Sequence, residues 1–335
     1  MKYKILYHMV KRVQSSLSGG TPLDMDIILA IMRGDKAMID PNLDFVTKGG
    51  MTLAMIAANY NKLDTLKYLV EQKGAKCDDT IKDSNETTCG MYAVQNGDLA
   101  MVEYLVRGGA IVDITIYDGD GKTYAMYASC GKLEVLKYLV EQKGAKCDDT
   151  IKDSNETTCA MYAIRFEKLD ILRYLVDEKG AKFDENIRDS FQRTCTMIAA
   201  RLSSLDIMRY LVEDKGAKCD DRIRDHAGMT CTMHAAESGN LDVLRYLVDV
   251  KGADCGDTMR DTYNRDCIML ATGGGHLDVL RYLINEKNVR IDDKIKDTIE
   301  NKTILEYEIL GLRSDINIYL RSVLAKQSSC GACNA

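Results

Sequence analysis

Tryptophan is absent from this 335-residue chain, proline occurs twice (Pro22 and Pro41), and there are only four phenylalanines and four histidines. With so little proline, no Pro-rich linker divides the chain. No apolar run approaches the about 18 residues of a membrane helix, so no membrane span is expected. The N-terminal "MKYKILYHMVKRVQSSL" mixes basic and apolar residues and lacks the unbroken apolar core of a secretion signal. A basic excess is also missing: 45 Lys and Arg stand against 51 Asp and Glu, a net charge of −6. Nucleic-acid binders normally show a basic stripe, so no nucleic-acid partner is expected. His8, His226, His234 and His276 are scattered and form no helical pair. No Ser-His-Asp, Cys-His or Gly-rich nucleotide arrangement occurs, so neither an enzyme nor a cofactor is expected. The nearest look-alike, "DGDGKT" at 118–123, lacks both the Glu of a calcium loop and the first Gly of a phosphate loop.

What is present is a folded composition, 46% hydrophobic and 29% charged. The length exceeds what one compact core usually holds, which predicts several domains or one elongated array. The array is favoured by an internal copy. "LKYLVEQKGAKCDDTIKDSNETTC" stands at 66–89 and again, unchanged, at 136–159. Around it runs a beat of tyrosines: Tyr68, Tyr104, Tyr138, Tyr174, Tyr210, Tyr246, Tyr282 and Tyr319, spaced by 36, 34, 36, 36, 36, 36 and 37 residues. A period in this range signals stacked repeats. Within "TCTMHAAESGNLDVLRYLVDVKGADC" (230–255), the pattern predicts a short helix near 231–238, a left-handed Gly239, and a second helix near 241–250.

The pattern "T-x-x-x-x-A-A-x-x-G-x-L-x-V-x-x-Y-L-V-x-x-K-G-A" resembles the ankyrin repeat over roughly residues 23–324. Tetratricopeptide repeats have a similar length, but their Trp/Gly/Tyr pattern is missing. Full repeats begin at Thr52, Thr88, Thr123, Thr158, Thr194, Thr230 and Asp266. The expected organisation is a degenerate N-terminal cap (1–47, with helices at 3–17 and 23–32), seven repeats (48–302), a degenerate C-terminal cap (303–324, with helices at 303–311 and 314–324) and a flexible tail (325–335). The expected fold is an all-α, single-domain, helix-turn-helix solenoid with extended β-hairpin or loop fingers. Most repeats have 36 residues against the usual 33, with the excess placed in the "QKGA" turn and the polar connector, so longer fingers are predicted. The usual Thr-Pro-Leu-His becomes Thr-Cys-x-Met, which predicts a buried ladder of Met55, Met91, Met126, Met161, Met197, Met233 and Met269. The 34-residue repeat predicts a local irregularity.

Cys89, Cys159, Cys195, Cys231 and Cys267 occupy equivalent sites about 8–10 Å apart. That exceeds the reach of a disulfide, so unbridged thiols in a reducing compartment are expected. Cys77, Cys147, Cys219 and Cys255 form a second such set. Cys330-x-x-Cys333 supplies two metal ligands where zinc takes four, so no metal is expected. The Asp of each "IKD" or "IRD" is expected to cap a turn. Tyr92, Tyr127 and Tyr162 are expected at the core edge with hydroxyls in solvent.

The resemblance implies protein recognition on a concave groove lined by finger tips and inner helices. Positions that vary between repeats give the candidate residues Arg165, Phe166, Phe191, Arg193, Arg201, His226, Met229, Tyr263 and Arg265, because aromatic and Arg side chains dominate interface energetics. A monomeric cytoplasmic scaffold binding a protein partner is expected. The alternative is a targeting or anchoring subunit, or a secreted effector adaptor, tethered through Cys330 and Cys333.

Overall fold

The computed structural model describes residues 22–331, except 112, 203, 257, 293, 300 and 307–313. Among the described residues it is helical, with isolated bridges and no strand. Helix Pro22–Arg33 answers to the helix expected at 23–32; its expected partner at 3–17 lies outside the described residues. The last helix, Ser314–Gly331, runs past 324 into the segment expected to be a flexible tail. The chain falls into two compact units, Met1–Tyr162 and Ala163–Ala335.

Each repeat opens with a short inner helix. Thr52, Thr88, Thr123, Thr194, Thr230 and Asp266 are the N-caps, and each side chain accepts a hydrogen bond from the Met amide three residues on. Thr158 does the same for Met161. Such caps satisfy amides that the helix cannot, each at about 1 kcal/mol. The capped residues are the methionines of the ladder, and all seven are buried. In the first unit, inner helix Leu53–Asn59 packs on Cys89–Asn96, which packs on Tyr124–Ser129. In the second, Cys195–Arg201 packs on Cys231–Ser238, which packs on Cys267–Gly274. The inner helix expected at 231–238 ends as expected, at Gly239 with φ 76°.

Outer helices depart from a simple reading. Leu63–Lys67 is α-helical, but Tyr68–Gln72 winds as a π-turn. The same switch occurs at Tyr138, Tyr174, Tyr210, Tyr246 and Tyr282. The outer helix of the 34-residue repeat, Leu99–Arg107, stays α-helical throughout. The reason lies in one residue. "YLVRGGA" closes with the Ala110 amide on the Leu105 carbonyl, whereas "YLVEQKGA" closes with the Ala75 amide on Leu69, one residue further. A wider turn absorbs an inserted residue without moving the ends of the helix. Part of the extra length therefore lies in the helix and not in the fingers.

The π-turn also carries a clasp between repeats. Asp177 accepts from the Tyr210 hydroxyl (2.8 Å) and pairs with Lys215 (2.5 Å). Asp249 does the same with Tyr282 and Lys287. The 34-residue repeat has Arg107 where those repeats have the acid.

The fingers take the loop form and not the paired-strand form. Those closing on Thr52, Thr88, Thr123 and Thr303 each show one isolated antiparallel bridge. In the finger closing on Thr52 the buried Thr47 holds the turn, its hydroxyl accepting from the Met51 amide (3.0 Å); in the others a buried Asp caps the turn as expected, Asp83 Oδ1 accepting from the amides of Asn85 and Thr87, both at 2.9 Å. The expectation for the tyrosines needs correction. Tyr92, Tyr127 and Tyr162 donate their hydroxyls, each at 2.6 Å, to Asp83, Asp118 and Asp153, because a carboxylate already holding a turn still has one oxygen to satisfy.

Candidate functional site

The fingers of the second unit share one construction. Each is organised by a buried Asp. Asp189 Oδ1 accepts from the amides of Phe191 and Arg193, both at 3.0 Å. Asp225 accepts from Ala227 and Met229, Asp261 from Tyr263 and Arg265, and Asp297 from Ile299. This local pattern is why "IRD" followed by two or three small or apolar residues folds back on itself. It also places Phe191, Ala227, Tyr263 and Ile299 at the same point of four successive turns.

Backbone hydrogen bonds tie these points together. The His226 amide donates to the Phe191 carbonyl (3.0 Å), Thr262 to Ala227 (2.9 Å) and Thr298 to Tyr263 (3.0 Å). Arginines brace the row. Arg188 Nη1 reaches the Gln192 carbonyl in its own finger and the Arg224 carbonyl in the next, both at 2.9 Å. Arg224 repeats this with Gly228 and Arg260. The result is a fixed row with apolar tips in water: Phe191 is 58% exposed, Tyr263 38% and Ile299 59%. Phe166, at the end of inner helix Cys159–Arg165, is 48% exposed.

Two of the candidate arginines are engaged within their own fingers. Arg193 Nε and Nη2 lie 2.9 and 2.6 Å from Asp189 Oδ2, and Arg265 Nε and Nη2 both lie 2.8 Å from Asp261 Oδ2. These carboxylates are buried, and an ionised carboxylate there needs a counter-charge. Arg165 approaches the same Asp189 oxygen at 3.8 Å. The guanidinium of Arg193 also stacks 4.7 Å from the Phe191 ring centre, and that of Arg265 5.3 Å from Tyr263, stiffening both aromatics. Met229 is a correction: at 4% exposure it is a core residue, turned inward under its finger. His226 and Arg201 are exposed. Phe166, Phe191, Arg201, His226 and Tyr263 thus remain on the surface, with Arg165 half-buried.

Sequence reasoning missed Ala227 and Ile299. The signal was available as a fixed distance, two residues beyond each finger Asp. It also missed the Asp225–His234 pair, in which Asp225 Oδ2 lies 2.9 Å from His234 Nε2. Burial, the largest influence on Asp225, pushes its carboxyl up, but hydrogen bonds from His234 and the Met229 amide hold it below the ordinary value.

The described cysteines are free thiols. Burial pushes Cys195 and Cys231 up to about 12, and Cys255 to about 11, so these sulfurs act as small apolar groups. In the Cys77–Cys89 pair, the bond from Cys89 pulls Cys77 down and raises Cys89. The Cys330 side chain and Cys333 lie outside the described residues. No helix among the described residues is long and apolar enough to cross a membrane, and no group of three or more potential metal ligands gathers among them.

No curated protein matches the chain. A family model described as ankyrin repeats (3 copies) does, over residues 25–118, 54–153, 91–189, 146–223 and 217–297. Ankyrin repeats generally mediate protein–protein interaction. With inner helices starting beside the residues expected to open each repeat and that match spanning most of the sequence, the chain belongs to the ankyrin repeat family.

Proposed function

We propose that this chain is a scaffold that binds a partner protein, and that the partner lies along the fingers and inner-helix ends of residues 163–335, the concave face of the repeat stack. One observation carries the reading: Phe191, Tyr263 and Ile299 are large, exposed and apolar, yet stand on a row braced by backbone and arginine hydrogen bonds. A surface already ordered before contact loses little entropy on binding. Aromatic side chains at fixed positions are the kind that dominate interface energies. The free thiols suit a reducing compartment, and we place the chain in the cytoplasm as a monomer without cofactor.

The test is a pull-down from cell extract with photo-crosslinking residues placed at Phe191 or, as control, at Asn85 on a first-unit finger. Adducts should form at 191 and not at 85, and should vanish in the triple variant Phe191→Ser, Tyr263→Ser, Ile299→Ser. Adducts at 85 alone, or adducts unchanged in the triple variant, would refute the assignment.

A further inference from the structure

We infer that the segment docking on this row is acidic and carries apolar side chains, an inference that rests on the recognition reading above. The argument begins with which charges reach water. In the second unit the finger acids Asp189, Asp225 and Asp261 are withdrawn: each gives one oxygen to its own turn and the other to Arg193, His234 or Arg265. Arg193 and Arg265 engage their Asp through Nε and Nη2, the side edge of the guanidinium. The end edge, formed by Nη1 and Nη2, is the fork that a second carboxylate takes in bidentate fashion. Part of each side chain is solvent-exposed, 14% for Arg193 and 20% for Arg265. Exposed Arg201, at the end of inner helix Cys195–Arg201, adds a further cation.

The first-unit fingers are opposite in sign. There, exposed Glu86, Asp120 and Glu156 stand at the tips, with Asn85 and Asn155 in place of the aromatics. These acids pair with Lys82, Lys122 and Lys152. With the buried Asp83, Asp118 and Asp153 included, each of these fingers still has one acid more than it has cations, so an acidic segment is disfavoured there. The apolar tips supply the second half of the match, since Phe191, Tyr263 and Ile299 remain exposed until an apolar surface covers them. A single-stranded nucleic acid would also stack on aromatics, but it needs several cations not already engaged, and here Arg193 and Arg265 are each paired with an Asp while Arg188 and Arg224 are taken up by backbone carbonyls.

The experiment selects short random peptides displayed on phage against the full chain at low salt, then measures the synthetic winners by fluorescence anisotropy. Enriched peptides should combine Asp or Glu with Phe, Leu or Ile. Their affinity should fall about tenfold or more in the triple tip variant and severalfold in Arg201→Glu, weaken as salt rises, and stay unchanged in Asn85→Ala. Basic or uncharged winners that still need the tips would overturn the charge inference and leave the surface assignment standing. Winners indifferent to the triple variant would overturn both. No enrichment, or a short single-stranded oligonucleotide that displaces the peptides, would overturn the acidic-segment inference.

Discussion

The two units solve the same problem with different residues. A finger Asp that holds its turn through one oxygen, as Asp83 and Asp189 do, has the other left over. In the first unit the donor comes from the inner helix, nine residues on: Tyr92, Tyr127 and Tyr162 reach Asp83, Asp118 and Asp153. In the second unit that helix position holds Ile198 or Leu270, which cannot donate, and the donor moves to the finger as Arg193 or Arg265, four residues on. Where the helix keeps a donor, His234, the finger position is free to be Met229 and turns inward. The two positions therefore vary together. Arg193 and Arg265 are in the first instance the counter-ions of their own turns, whereas the aromatics two residues after the Asp, Phe191 and Tyr263, stay exposed.

Breaking the arginine form should have the largest effect. Arg193→Ala leaves Asp189 buried beside only Arg165 at 3.8 Å, and should cost about 3 kcal/mol in urea denaturation, the lower end for a stranded buried charge. Adding Ile198→Tyr should recover part of that loss by converting the finger to the first-unit form. A loss under about 0.5 kcal/mol would show that Arg193 is an ordinary surface residue. On the tyrosine side, Tyr162→Phe removes a hydroxyl held 2.6 Å from Asp153 and should cost about 1.5–3 kcal/mol by the same measurement.

A third change sharpens the comparison within the first unit. Tyr124 replaces the usual Cys at the start of its inner helix, and its hydroxyl reaches Asp79 (2.6 Å) and Thr88 (3.0 Å). Gly90 makes room: a Cβ there would lie 2.6 Å from that hydroxyl and 2.7 Å from Ile111. Gly90→Ala should thus destabilise by about 1–3 kcal/mol through overpacking, and pairing it with Tyr124→Cys should relieve most of it, as a double-mutant cycle would show.

The smallest effect is one of pH. The hydrogen bonds from Lys215 and Lys287, the largest influence on each, hold Asp177 and Asp249 below the ordinary carboxylate value. Their folded values are depressed, so their stabilisation is present above about pH 3.9 and is lost as pH falls through the lower folded values. Asp177→Asn should flatten the pH dependence of thermal stability below about pH 4 and leave it unchanged near neutrality.

The inner-helix positions and the methionine ladder were legible in the sequence because each recurs with the period, and a periodic signal reports a shared environment. Finger Asp residues were legible as turn caps for the same reason. The roles of Arg193, Arg265 and Met229 were not, since they depend on which residue stands across the turn on the inner helix. The covariation of Ile198 with Arg193, Leu270 with Arg265 and His234 with Met229 was present as a pattern, but it acquires a cause only once the second carboxylate oxygen is located. The extra residue of the long repeats was countable, but its absorption by a π-turn depends on helix ends already fixed by neighbours.

That wider turn bears on how the stack comes apart. Asp177 and Asp249 sit within the π-turns and fasten the next repeat by Tyr and Lys; the repeat that lacks the added residue presents Arg107 instead, and Tyr138 beyond it is only half-buried. In the first unit Tyr68 and Lys73 fasten to Asp40, whereas Arg107 precedes Tyr138, so fastening is uneven there. Amide protons of Leu99–Arg107 and of the helix starting at Leu133 should exchange with solvent sooner than those flanking them, marking the joint where separation of the modules begins.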